Sequence, residues 1–207
     1  MPRRSRPSAR PSTTSRPTSS APRGDVSQLA KLIESLPGPR ADQVYTHASW
    51  ATERSESYER LEFLGDSVLE LAIARELYDR YPDFSEGRLA KVRSHVVSRA
   101  SCAVVARQLA LGEQLTERGA DIPDDELHRL AHNRNVLAAL LEAALAALFL
   151  EHGFAKVERP IVEAFSGRIE YALTSHVDYK TELQEALARR GQSVSYSVLE
   201  VPSSWMS

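Results

Sequence analysis

Residues 58–71 read YERLEFLGDSVLEL, and the reading of this stretch decides the fold. Placed on a helix, Leu61, Leu64, Val68 and Leu69 form an apolar side, while Glu59, Glu62 and Asp66 fall at i, i+3 and i+7 along one face. Like charges stacked in this way weaken a helix by about 0.2–0.5 kcal/mol per pair. Something positive belongs among them. Spacing alone leaves two answers open: water and salt around an exposed face, or a hard cation held where the face lines a cleft. Phe63 and Leu64 are poor neighbours for a fully solvated face.

The second informative stretch is residues 136–150, VLAALLEAALAALFL, where Glu142 is the one polar side chain. A bilayer needs about 20 apolar residues, so this run predicts a central helix buried on nearly all sides and no membrane partner. A carboxylate buried there costs several kcal/mol unless it is paired, protonated or on a metal. Glu142 therefore needs a partner. An acidic stripe on one helix and an orphan carboxylate on another describe a metal site between packed helices. The other reading is a Glu at the edge of the packing, neutralised by an Arg or by a proton.

Between and around these stretches the pattern is helical, and no strand alternation is present through the body. Asp25 can cap a first helix to about residue 36, closed by Pro37, Gly38 and Pro39, and a short helix is expected over residues 43–50. The helix that contains the acidic stripe ends at Tyr81 and Pro82. Ser85 caps the next segment, which continues through Leu89, Val92, Val96, Val97 and Val104 with a break near Ser98. Residues 112–133 read as polar and irregular; His128 and His132 have zinc-ligand spacing there but no third ligand, and two solvated histidines explain them as well. A last helix over about residues 156–173 follows Gly153, a C-cap.

Composition narrows the function classes. With 42% hydrophobic residues the chain can bury a core, and the single Cys102, read as a core side chain, excludes an internal disulfide framework and predicts a reducing, cytoplasmic setting. Residues 1–24 hold six arginines, five prolines and no acidic residue, a composition that predicts a disordered arm. The arm lacks the apolar core of a secretory signal; a transit peptide, a weak electrostatic arm for nucleic acid and an inert tail remain open. Setting those six aside leaves 20 basic against 28 acidic side chains, a formal charge of −8 over residues 25–207. An acidic body suits a cation site better than a phosphate-gripping groove.

Residues 59–69, ERLEFLGDSVL, resemble without a gap the signature of the ribonuclease III family. THASW at residues 46–50 and SEGRLAKVRS at residues 85–94 resemble the blocks on either side of that signature, and the likeness runs over about residues 28–201. The resemblance implies an all-α catalytic domain at residues 25–175, then an incomplete α/β double-stranded-RNA-binding module at residues 178–207, of which only a first helix and a first strand are recognisable. So short a segment cannot bury that module's core.

The family likeness further implies an endoribonuclease that uses Mg²⁺, with Mn²⁺ as a substitute. Its partners would be double-stranded RNA and a second copy of the chain. The products would carry 5′-phosphate and 3′-hydroxyl ends, in the processing of ribosomal or messenger RNA. By the same likeness Glu62, Asp66 and Glu142 are the metal ligands, Asp66 and Glu142 the catalytic pair, Glu59 and Glu86 outer or second-metal carboxylates, and Phe63 a dimer contact, though an internal core position also explains Phe63. Glu86 also reads simply as a helix-start charge.

One position departs from the family pattern: Ala139 stands where an aspartate is expected, one turn before Glu142. A member that keeps the fold and binds RNA without cutting it is therefore the alternative. Gly65-Asp66-Ser67 as a serine-hydrolase motif fails on context, since that motif needs a strand-to-helix turn.

Overall fold

The computed structural model describes residues 23–119, 122–175, 187 and 191–193, and the described residues contain nine α-helices and no strand. The expected Arg-rich arm, apart from its last residues, and nearly all of the expected RNA-binding module lie outside the described residues. In chain order the helices are α1 (Ser27–Glu34), α2 (Gly38–Tyr45), α3 (Glu59–Arg80), α4 (Glu86–Val96), α5 (Arg99–Gln108), α6 (Leu111–Arg118), α7 (Asp124–His132), α8 (Arg134–His152) and α9 (Phe154–Ser175).

Helix α8 is the axle. Its leucines and alanines favour helix, Asn133 caps it by accepting from the backbone N–H groups of Asn135 and Val136 at 2.8 and 3.4 Å, and Gly153 ends it at φ +76°. Every residue from 136 to 148 is buried, chiefly under α3 and α5 and also under α2, α7 and α9. Each fully buried leucine among them contributes about 1.5–3 kcal/mol by leaving water. Length and composition alone would let α8 cross a bilayer, but the packed helices around it account for its apolar surface.

Helix α3 lies directly on this axle. Leu61, Val68, Leu69, Ala72, Ile73 and Leu77 are buried, and Leu64 is half-buried. A Cβ on Gly65 would sit 1.7 Å from the Glu142 carbonyl oxygen, so at that point the two backbones touch and only glycine fits. The start of α3 is tied back to the residues before it: Tyr58 N–H donates to the Thr46 carbonyl at 3.1 Å, and the His47 ring packs against Trp50 and Tyr58, each 5.7 Å away between centroids.

Two sequence expectations are corrected. Residues 112–133 are mostly helical rather than irregular: α6 buries Leu111 and Leu115, and α7 buries Leu127, Leu130 and Ala131. Each has a stripe of only two or three apolar residues, and the polar majority is simply the outer face. Pro123 precedes α7 and three acidic residues fill its first turn, where they suit the positive end of the helix. The expected helix over residues 43–50 forms earlier, as α2; Pro39 stands in its first turn, where a proline lacks nothing the helix needs. Other boundaries hold closely. Ser85 accepts from the Arg88 N–H and caps α4, Ser98 accepts from the Ser101 N–H and caps α5, and α3 ends just before Tyr81.

Candidate active site

The Gly65 contact fixes where the acidic side chains meet. It puts the middle of α8 against the first half of α3, and Glu59, Glu62, Asp66 and Glu142 line one open cleft of about 460 Å³ together with Phe63, Ser67, Val97 and Arg99. The two separated stretches singled out in the sequence thus converge. Glu86 is not part of this cleft; it opens α4 and lines a separate groove beside Ala74, Tyr78 and Arg93. Ala139 is buried at 3% exposure on α8 and does not line the cleft.

Each carboxylate has a different environment. Glu59 is bonded by Arg54, which precedes α3, at 3.2 Å. Glu62, 22% exposed, accepts from the Arg99 guanidinium at 3.2 Å. Asp66, next to Gly65, is exposed and lines the cleft. Glu142 is only 5% exposed, and burial, then the charges of Glu62 and Asp66, push its carboxyl up from 4.5 to about 7. Arg99 and the Cys102 thiol act against that rise. The same burial and the same charge of Glu142 push the buried Cys102 thiol well above its ordinary range, so it stays a neutral thiol. Burial, reinforced by Glu62 and Glu59, pushes the Tyr58 phenol up to about 12.

The donor set fits a hard divalent cation. Its atoms are carboxylate oxygens on two helices locked together, and burial, with Glu62 and Asp66 beside it, disfavours the charged Glu142 carboxylate, a cost that added positive charge offsets. As the side chains stand, no group of three or more His, Cys, Asp or Glu among the described residues is gathered closely enough to hold an ion.

Arg99 was not singled out from the sequence. An arginine at the start of a helix looks like any surface cation, and its partner lies 37 residues away. Gly65 was quoted only within a motif, and its role as the helix contact emerges only from the fold. Ser67 stands in mid-helix at the rim of the cleft, far from the strand-to-helix turn of a serine nucleophile. The rings of His128 and His132 lie 4.3 Å apart between centroids, tilted, on the outer face of α7, and the His132 ring bonds the His128 carbonyl.

A family model described as Ribonuclease-III-like matches residues 40–169. Curated relatives named Ribonuclease 3 include one from Symbiobacterium thermophilum, 39% identical over 154 residues, which are 72% of this chain and 63% of that protein. Another, from Corynebacterium diphtheriae, is 39% identical over 150 residues, 70% of this chain and 58% of that protein. The chain therefore spans less than two thirds of the length of these relatives. Among solved structures, the nuclease domain of ribonuclease III from Campylobacter jejuni, described for structural flexibility in a region involved in dimer formation, superposes with a TM-score of 0.54 at 29% identity. The match covers 69% of this chain and 99% of that one.

Proposed function

Because the chain belongs to the ribonuclease III-like family, we propose that it is an endoribonuclease that cleaves double-stranded RNA at the cleft between α3 and α8 with the help of a divalent metal ion. The observation that carries this reading is the buried Glu142 carboxylate, held across the Gly65 contact in the same cleft as Glu62 and Asp66. Mg²⁺, or Mn²⁺ in its place, would offset the negative charge of the phosphate and make water more acidic when bound there.

The residues divide the remaining work. Glu62, Asp66 and Glu142 would hold the ion. Glu59, turned toward Arg54 at the rim, is an outer carboxylate. Glu86 serves α4 as a helix-start charge. The touching backbones of α3 and α8 fix the distance between the two sets of ligands before substrate arrives.

Phe63 stands on the rim at 80% exposure, and an aromatic ring so placed is covered by a second copy of the chain in a homodimer. Two clefts brought together then act on the two strands of one duplex, which is read by its A-form shape rather than its sequence. Processing of ribosomal or messenger RNA in the cytoplasm fits such a substrate.

A second reading rests on Ala139. With a buried methyl group in place of a carboxylate, the cleft has fewer ligands than the family pattern, and a protein that binds duplex RNA without cutting it is the outcome if the remaining three do not suffice. Mg²⁺-dependent cleavage of a long duplex at low salt separates the two. For the enzyme, the parent cuts and Asp66→Asn loses at least about 100-fold in rate. Cutting by Ala139→Asp but not by the parent establishes the binding protein instead.

A further inference from the structure

The cleft contains a cation of its own. Arg99 opens α5, and its backbone is set by Ser98, whose side chain accepts from the Ser101 N–H at 3.3 Å and donates to the His95 carbonyl at 2.9 Å. From this fixed base its guanidinium crosses the cleft to Glu62 at 3.2 Å, and its charge also reaches Glu142 and Tyr58. The side chain is 56% exposed, so it is free to leave.

A surface ion pair of this geometry normally contributes little, because water competes for both ends. Here the pair has a second consequence. Glu62 is one of three carboxylates proposed to hold the metal, and the oxygen that accepts from Arg99 is engaged before any ion arrives. Ala139 has already removed one negative charge expected of the family, so the charge Arg99 cancels is a larger share of what remains.

We propose that Arg99 is an internal counter-cation of the metal-free cleft: it holds Glu62 in an ion pair that an entering divalent ion must break, and thereby sets the metal affinity of the site. The inference rests on the metal-dependent reading above. Arg99 is a positioning residue, acting through Glu62. Its removal frees the Glu62 oxygen and takes one positive charge out of the cleft, so the ion binds more tightly.

The test is direct titration of the full chain with Mn²⁺, followed by electron paramagnetic resonance of the free ion, for the parent, Arg99→Gln, Arg99→Lys and Asp66→Asn. Arg99→Gln is expected to bind about 3- to 10-fold more tightly at low salt, with the gain shrinking as salt rises. Arg99→Lys, which keeps the charge, returns toward the parent. Binding that is lost in Asp66→Asn but equal or weaker in Arg99→Gln overturns the role of Arg99 and leaves the metal site standing. Absence of binding in the parent, or binding indifferent to Asp66→Asn, overturns the metal site and the Arg99 proposal together.

Discussion

The two halves of α3 handle charge in opposite ways. In its second half Arg75 pairs with Asp79 at 3.8 Å and with Glu158 of α9 at 3.1 Å, and Arg80 pairs with Glu76 at 3.6 Å, so both arginines meet an opposite charge on their own helix, and Arg75 a second one on α9. In its first half three acidic residues line up, and the cations that meet two of them come from outside the helix, Arg54 from the preceding turn and Arg99 from α5. Asp66 and the facing Glu142 have no ion-pair partner among the described residues. The half that supplies its own cations is scaffold. The half left in debt of positive charge is where a ligand is to be sought.

The largest effect expected along α3 is steric. Gly65→Ala drives a methyl group into the α8 backbone and should cost at least about 3 kcal/mol in urea unfolding. Gly87 in α4 is the control: a Cβ there meets nothing within 4 Å, and Gly87→Ala should be neutral or stabilising by up to about 1 kcal/mol. Equal costs at both sites would remove the distinction between contact and open surface.

The next effect is electrostatic and depends on pH. Glu142 titrates near 4.5 when unfolded and about 7 when folded, so the folded state holds its proton more tightly. Its contribution to stability is complete below 4.5 and is lost as pH rises toward 7. In EDTA, thermal unfolding should therefore show a loss of up to about 3 kcal/mol across that window from this group, and Glu142→Gln should flatten it. An unchanged slope in Glu142→Gln would place the stored repulsion elsewhere.

The smallest effect belongs to the balanced half. Arg75 is well exposed, and Arg75→Ala should cost no more than about 0.5 kcal/mol by the same unfolding measurement, despite breaking two ion pairs. A cost comparable to that of Gly65→Ala would mean that the second half of α3 is also under stress.

What the sequence made legible follows the same division. The acidic stripe and the capped apolar helix could be read because each is a local pattern, spaced by a helical turn or bounded by Asn133 and Gly153. The rotation of α8 could not: a helix that is apolar on every side has no polar face to orient it, so nothing in residues 136–150 aims Glu142 at α3. The close contact at Gly65 supplies that orientation, and it depends on two backbones more than 70 residues apart in the chain. Arg99 was hidden for the same reason, since its partner is distant in sequence. Helices α6 and α7 were hidden by their thin apolar stripes.

The glycine contact also bears on the size of the ion proposed for the cleft. Where two main chains rest against each other, neither helix can slide or tilt to reshape a coordination sphere, so only side-chain torsions remain to adjust. Such a rigid frame suits a small ion that tolerates little variation in bond length, and a larger one such as Ca²⁺ would have to recruit solvent instead of drawing the helices apart.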